Sequence, residues 1–138
     1  MTKIASDFAI LSDVVKYEDA QHKMYGRNRS NVTFNGLAAT LEVGTVLGKV
    51  TAGGKYKVLT PASSDGAQNA AAIVTSKVTV LAATDTDLMV LGGDLAYQVE
   101  LGVLASALLY PAGITAPQIA AAEAALGAKG FQIVKEYV

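Results

Sequence analysis

The chain contains no cysteine, so disulfide bonds and thiolate metal sites are excluded, and the redox compartment stays open. It contains no tryptophan, and its six tyrosines are scattered, which leaves no evident aromatic platform for binding a glycan. The only histidine, His22, lies in a charged segment and is better explained as a solvated side chain than as a catalytic base.

Charged side chains are scarce, at 17% of the residues against about 25% in average domains, while 51% of the residues are hydrophobic. The net charge of −1 argues against a general nucleic-acid binder, which usually carries a basic excess. The longest uncharged stretch, residues 101–122, is broken by Pro111, Gly113 and Pro117, so we expect no transmembrane helix. Residues 1–4 lack the pattern of a signal peptide. The apolar excess is therefore expected at subunit interfaces, because obligate interfaces resemble a core cut in half.

The length of 138 residues fits one domain, but charge divides the chain into two parts. Residues 1–30 hold nine of the 23 charged side chains, and the other 108 residues hold 14. We predict an N-terminal arm at residues 1–30, with a short helix near residues 4–15 as one option and a disordered tail as the other. Residues 31–138 are predicted to form a β-rich domain.

Short strands separated by turns are indicated throughout this domain. A strand at residues 32–34 ends at the turn dipeptide Asn35-Gly36. Strands at residues 45–50 and 55–59 are joined by Gly53-Gly54, which is the pattern of a hairpin. Further strands are expected at residues 71–81, 88–91, 96–101 and 131–138.

One helix is well signalled near the C-terminus. Thr115 with Gln118 three residues later forms a capping box, and residues 119–126 are almost all alanine and leucine. Either Gly127 or Gly130 can end the helix in the left-handed conformation. The fold is therefore predicted to be mainly β with one C-terminal helix, whose small side chains permit close approach by a partner or by the helix's own domain.

No constellation of catalytic residues is visible. Residues 63–65 (Ser-Ser-Asp) have no second histidine to serve as a base, so a turn is the simpler explanation. Asp85, Asp87 and Asp94 offer too few oxygen ligands at too wide a spacing for a calcium loop. We therefore expect a protein that is not an enzyme and that has no cofactor and no metal site.

Four segments carry a likeness to a known family: residues 44–52 (Gly-Thr-Val-Leu-Gly-Lys-Val-Thr-Ala), Lys55-Tyr56, the loop 62–68 (Ala-Ser-Ser-Asp-Gly-Ala-Gln) and the run 70–74 (Ala-Ala-Ala-Ile-Val). In their order and spacing they resemble the head decoration proteins of lambda-like tailed bacteriophages. That family shows a strand with Leu-Gly-x-Val, a turn, an Asp-Gly loop and an Ala-x-Gly-Ile run. This chain departs from it at Ala72, where the family often has glycine, in the uncharged residues 101–113, and in residues 1–30, which show no match.

The resemblance implies a β-clip-like fold with an extended N-terminal arm. It implies a homotrimer seated at the threefold and quasi-threefold positions of an expanded capsid, with the arm ordered on the major capsid protein. The partners would be that protein and sister copies, with no nucleic acid and no membrane. The location would be the capsid exterior of the virion, and the host cytoplasm during assembly. The alternative is an adhesin-like surface recognition module that binds host glycan or protein.

Two sets of candidate contact residues follow. For the capsid-binding arm we expect aromatic, methionine and arginine side chains, which are enriched in interface cores, together with a strand suited to pairing with a neighbour's sheet edge. These residues are Tyr17, Met24, Tyr25, Arg27, Arg29, Val32 and Phe34. For the trimer interface we expect residues of the nearly uncharged C-terminal third, namely Tyr110, Ile114, Ile119 and Ala122. Internal packing is the alternative for both sets.

Overall fold

The structure, a computed structural model, describes residues 14–18, 28–95, 98–99 and 101–135. These residues form ten strands, one α-helix and a 3₁₀ turn, so the prediction of a mainly β fold with a single C-terminal helix is confirmed. The strands are β1 (Val15–Glu18), β2 (Arg29–Phe34), β3 (Ala39–Leu41), β4 (Val46–Lys49), β5 (Tyr56–Val58), β6 (Ala70–Val74), β7 (Val78–Val80), β8 (Thr86–Gly92), β9 (Leu101–Leu104) and β10 (Phe131–Val134). The 3₁₀ turn is Ala105–Ala107, and the helix α1 is Ala116–Ala128.

Five strands close into a barrel in the order β2-β5-β4-β6-β8. The β4–β5 hairpin predicted from the Gly53-Gly54 dipeptide is present, and both glycines have the positive φ that such a turn requires. Strand β2 pairs with β8 along its whole length, but with β5 only where Phe34 meets Tyr56. The barrel is therefore closed at one place by a single pair of residues.

The barrel wall is apolar on both faces. On β4, Val46 and Leu47 are both fully buried, one in a cluster outside the barrel and one in a cluster inside it, as period-two alternation requires. The register shifts between Leu47 and Gly48, and this bulge lets Ala71 and Ala72 both join the inner cluster. The strands therefore support two cores at once.

The inner cluster fills the barrel and is covered by the two-stranded β3–β7 sheet. Its largest members, Tyr56 and Phe34, are fully buried. Its buried residues are Val32, Phe34, Leu41, Leu47, Tyr56, Ala71, Ala72, Val74, Val80, Leu88 and Val90.

The outer cluster lies between the barrel and a layer made of α1 and the sheet β1-β9-β10. Strand β9 pairs antiparallel with β1 and parallel with β10, and α1 makes the crossover that a parallel pair needs. Ala122 and Leu126, four residues apart on α1, face this cluster. Its buried residues are Val14, Val43, Val46, Leu59, Ala70, Ile73, Leu91, Val99, Leu101, Val103, Leu108, Ala122, Leu126 and Phe131.

The capping box at the start of α1 is confirmed. The backbone N–H of Thr115 donates to Gln118 Oε1 at 2.9 Å, and the N–H of Gln118 donates to Thr115 Oγ1 at 3.4 Å. The helix ends before Gly130, whose φ is +102°, so Gly130 and not Gly127 takes the left-handed conformation.

Several strand predictions were wrong in detail. The single strand predicted at residues 71–81 is two strands, β6 and β7, which belong to different sheets because the chain turns between them. Strand β3 was not predicted. Of the strand predicted at residues 96–101, Ala96, Tyr97 and Glu100 lie outside the described residues.

The arm predicted at residues 1–30 contains two described segments, residues 14–18 and residues 28–30, and the second of these includes the start of β2. Strand β1 pairs with β9, and Val14 beside it is fully buried in the outer cluster, so residues 14–18 are part of the body. The helix predicted near residues 4–15 falls almost wholly outside the described residues, as do residues 19–27. For residues 1–13 and 19–27 of the arm predicted at residues 1–30, the arm stays a prediction.

Candidate interaction surfaces

Of the residues predicted to contact a capsid, four are described: Tyr17 in β1, and Arg29, Val32 and Phe34 in β2. Met24, Tyr25 and Arg27 lie outside the described residues. The backbone of Tyr17 is in β1, opposite Gly102. Arg29 begins β2 and is half-buried.

Val32 and Phe34 are core residues. Val32 is 3% exposed and Phe34 is fully buried, and both belong to the inner cluster. Their side chains therefore hold the barrel together, and a contact with another chain through this strand would have to use its backbone. The edge of β2 that faces away from β8 pairs with no described strand from residue 30 to residue 33.

The residues predicted for the trimer interface lie close together, but not all on the surface. Ala122 is 4% exposed on the face of α1 that packs on the outer cluster. Tyr110 and Ile114 are half-buried against this cluster. Ile119 is half-buried on α1. Ala122 therefore serves internal packing, whereas Tyr110, Ile114 and Ile119 keep part of their surface in contact with solvent.

The hydroxyl of Tyr110 is buried and has no hydrogen-bond partner among the described residues. Burial, followed by the negative charge of Glu123, raises the pKa of Tyr110 to about 12. The phenol is thus held in its neutral form.

A continuous apolar groove lies beside these residues. It consists of two adjoining hollows of about 680 and 400 Å³. We call it the Leu37 groove. It is bordered by the loop after β2, by the end of β5 and, on the far side, by two loops that contain proline. Its apolar lining residues are Leu37, Ala38, Ala39, Val50, Val58, Leu59, Pro61, Ala62, Pro111, Ala112 and Ile114.

Leu37 is the most exposed large hydrophobic residue that the structure describes, at 85% of its surface. It follows the Asn35-Gly36 turn, where a side chain on residue 36 would approach Lys57 Cβ to 3.0 Å. Glycine therefore lets the chain pass close over β5 and places Leu37 at the rim of the groove. The sequence pattern gave no sign that this leucine would be exposed.

The turn beneath Leu37 is held by an ionic cluster. Asn35 Nδ2 donates to Asp85 Oδ1 at 2.6 Å, and Lys55 Nζ lies 2.9 Å from the same oxygen. The hydrogen bond from Asn35, then that from Lys55, lowers the pKa of Asp85. The base of the loop is thus tied to β5 and β8 while its tip stays in solvent.

The groove itself is almost free of charge. Lys57 is the one charged residue among its described lining residues, and its Nζ is paired with Asp65 Oδ2 at 2.9 Å. Asp65 also accepts hydrogen bonds from Ser63 and from the backbone of Ala67, and together these contacts hold its pKa well below the usual range. The Ser-Ser-Asp segment is therefore a turn that fixes Lys57.

A second polar cluster closes the barrel where β2 and β5 diverge. Asp94 Oδ1 accepts from Tyr56 Oη at 2.7 Å and from Lys49 Nζ at 2.8 Å. Burial alone would raise the pKa of Asp94, but the hydrogen bonds from Lys49 and Tyr56 bring it below its usual value. Burial and Asp94 together raise the pKa of Tyr56. The buried Tyr56 side chain therefore has its hydroxyl group hydrogen-bonded.

The aspartates considered for metal binding have separate partners. Asp85 pairs with Asn35 and Lys55, Asp87 accepts from Thr33, and Asp94 belongs to the cluster around Tyr56. Within residues 14–18, 28–95, 98–99 and 101–135, no group of three acidic, histidine or cysteine side chains could hold a metal ion. No helix in the same part of the chain is long and apolar enough to cross a membrane. His22 lies outside it.

Fold and surface together define a small barrel protein with an outer layer of one helix and a three-stranded sheet, and with a broad groove that is almost free of charge. The family model "Bacteriophage lambda head decoration protein D" matches residues 7–131. The chain therefore belongs to the bacteriophage head decoration protein family, which confirms the resemblance seen in the sequence. The match also covers residues 7–30, where the sequence showed no likeness. This is a family of structural capsid proteins and not of enzymes, and it places the chain on the capsid of a virion. No curated protein matches the chain.

Proposed function

We propose that the chain binds the outer surface of the expanded phage head as a homotrimer and stabilises the head against disassembly. The observation that carries this proposal is the family match over residues 7–131. Its partners are the major capsid protein and two sister copies, and during assembly it is located in the host cytoplasm.

Linkage accounts for the stabilising effect. A protein that binds only the assembled, expanded shell shifts the equilibrium toward that shell in proportion to its occupancy. A trimer presents three identical contact sets, and linked contacts raise avidity by about 10²–10⁴-fold where the geometry allows all of them to engage. Each contact can then be weak while the decorated shell is strong.

Residues upstream of Val14 are proposed to make the main shell contact. Val14 is fully buried in the outer cluster, so a segment ending at residue 13 starts from a fixed point on the body. The edge of β2 at residues 30–33, which pairs with no strand in the described part of the chain, supports a second contact, because strand addition uses backbone hydrogen bonds and leaves Val32 in the core.

The test is co-sedimentation of the purified chain with expanded heads that lack their decoration protein. A variant without residues 1–13 keeps Val14 and β1, so we expect it to fold and to associate with its sister copies. We expect it to lose at least about tenfold in affinity for the heads, because a contact of 1.4 kcal/mol or more is removed.

Unexpanded precursor heads are the control, and neither the full chain nor the variant should bind them. Unchanged decoration by the truncated chain would refute the role of the arm. Failure of the full chain to bind expanded heads would refute the proposed function itself.

A further inference from the structure

We propose that the Leu37 groove binds residues 1–13 of the same chain, with Ile4, Phe8 and Leu11 as the side chains that enter it, and that this segment leaves the groove when the protein binds a head. The inference rests on the proposed function and deepens it, because it says where the shell-binding segment lies in the free protein. The groove thereby holds residues 1–13 back from the shell until a head competes for them.

The first support is the place where this segment joins the body. Val14 is fully buried in the outer cluster together with Leu59, and Ile114 packs against the same cluster. Leu59 and Ile114 also line the Leu37 groove. Residues 1–13 therefore start from a cluster of side chains that extends to the groove.

The second support is the length of the segment. Thirteen residues precede Val14, and 13 residues span up to about 43 Å when they are extended. A chain of 138 residues has a radius of gyration of about 14 Å, so the segment is long enough to reach the whole groove. Because it is tethered, its effective concentration at the groove is in the millimolar range. This favours the chain's own segment over an untethered partner of equal affinity.

The third support is the apolar pattern of the segment. Ile4, Phe8 and Leu11 are spaced by four and then three residues, which places them on one face of a helix. Val14, where the segment meets the body, has a helical backbone. Amphipathic helices bind apolar grooves through anchoring side chains at this spacing. Residues 1–13 therefore offer a row of large side chains of the kind that such a groove takes.

The fourth support is the chemistry of the groove. Leu37 is 85% exposed at its rim, and the two hollows of about 680 and 400 Å³ have the size of sites that enclose large apolar groups. Lys57, the one charged residue among the described lining residues, is paired with Asp65. An apolar helix face in the groove therefore meets no unpaired charge among these residues.

Occupation of the groove has a consequence for binding to heads. The apparent affinity for the shell is reduced to the fraction of segments that are free, so docking of about nine in ten lowers it about tenfold. A substitution that weakens the groove should therefore make the protein bind heads more tightly. A groove that contacted the shell or a sister copy would give the opposite sign.

Thiol protection measures the docked state without heads. The chain has no cysteine, so Ala38→Cys places a single thiol in the groove, and Ala124→Cys places one at an exposed alanine of α1 outside it. Removal of residues 1–13 should make a maleimide react at least about tenfold faster at position 38 and equally fast at position 124. Unchanged reactivity at position 38 would overturn the inference. A faster reaction together with a smaller oligomer in sedimentation velocity would also overturn it, because the groove would then belong to a sister copy.

A matched pair of substitutions tests the helix face. Phe8→Asp puts a charge on the face shared with Ile4 and Leu11, whereas Ile10→Asp adds the same charge off that face. Phe8→Asp should expose the thiol at position 38 as removal of residues 1–13 does, and Ile10→Asp should leave it protected. Equal effects of the two substitutions would contradict docking through this face.

Mixed oligomers show which chain supplies the segment. Chains that lack residues 1–13 and carry Ala38→Cys are co-expressed with an excess of full-length chains. The thiol should stay exposed, because each segment docks on its own chain. Restored protection would overturn the inference and assign the groove to the segment of a sister copy.

Binding to expanded heads that lack their decoration protein separates this inference from the proposed function. Leu37→Asp should bind up to about tenfold more tightly than the wild type, and it should change nothing in chains that lack residues 1–13. Equal or weaker binding of Leu37→Asp would overturn the release from the groove and leave decoration intact. Failure of every variant to bind heads would refute the proposed function, whereas protection of position 38 by residues 1–13 is measured without heads.

Discussion

The inner and outer clusters differ in which parts of the chain build them. The inner cluster is enclosed by strands that all lie between residues 29 and 92. The outer cluster needs the barrel wall and also β1, β9, α1 and β10, so it joins residue 14 to residue 131. The barrel is thus a contiguous unit, whereas the outer layer is completed from the two ends of the described chain.

The comparison teaches where the chain is most sensitive to change. Phe34 and Tyr56 are fully buried inside a closed barrel with little room for adjustment. The outer layer ends in β1 and β10, which are edge strands of a three-stranded sheet and can shift toward a defect. Substitutions of equal chemistry should therefore be more costly inside the barrel.

The largest effect is expected for a matched pair of phenylalanines. Phe34→Ala should lower the free energy of unfolding by about 3–5 kcal/mol, because the cavity it leaves is fully enclosed. Phe131→Ala should fall toward the lower end of this range, since Phe131 is 4% exposed on an edge strand that can relax. Urea unfolding at a fixed protomer concentration measures both. An equal or larger loss for Phe131→Ala would break the comparison.

A matched pair of glycines comes next. At Gly48 in β4, a Cβ would collide with the backbone of Ala67, so Gly48→Ala should destabilise the barrel by about 1–3 kcal/mol. At Gly127 in α1, a Cβ would meet nothing within 4 Å, so Gly127→Ala should stabilise the chain by about 0.4–1 kcal/mol. Thermal unfolding should shift in opposite directions for the two variants. A shift of the same sign would contradict either the close approach of Ala67 to Gly48 or the open space beside Gly127.

The helix cap of the outer layer should contribute less than either core. Thr115→Ala removes the side-chain acceptor of the capping box and should lower stability by about 1 kcal/mol. Thr115→Ser retains the hydroxyl and serves as the control, with a stability close to that of the wild type. Loss of stability in the serine variant as well would assign the effect to the threonine methyl group and not to the cap.

The smallest effect should be seen only at alkaline pH. The folded-state pKa of Tyr110 is raised to about 12, so the folded chain keeps its proton while the unfolded chain releases it near pH 10. Stability is then fully present below pH 10 and declines as the pH rises toward 12. Tyr110→Phe should reduce this decline in stability. A decline should remain in the variant, because the pKa of Tyr56 is raised too. Urea unfolding between pH 8 and 11 checks this, and identical slopes for the variant and the wild type would contradict it.

The features that could be predicted from the sequence are local ones. The Thr115 capping box and the Gly53-Gly54 hairpin each depend on a few adjacent residues. The split between β6 and β7 was missed because β-branched residues lie on both sides of Ser76-Lys77, while the two halves pair with distant partners. The parallel pairing of β9 with β10 likewise depends on contacts that no short segment encodes.

The candidate surfaces were harder to predict than the fold. A strand suited to strand addition suggested Phe34 as a contact, and the scarcity of charge in the C-terminal third suggested Ala122. Burial, which depends on the whole barrel and on α1, makes both of them core residues. Leu37 was missed for the opposite reason. A leucine beside a turn resembles a core residue, and only the passage of the chain over β5 shows that it lies at the rim of a groove.

The central position of β9 in its three-stranded sheet determines when the outer layer can be completed during synthesis. All barrel strands have been translated by residue 92, but β9 and its partner β10 require residues 93–134. At about 5–20 residues per second, the ribosome takes a few seconds to supply them. During that interval the outward-facing Val46, Ile73 and Leu91 have no helical layer above them. A chain that stalls or is cleaved in this interval exposes the apolar outer face of the barrel strands, which makes it prone to aggregate.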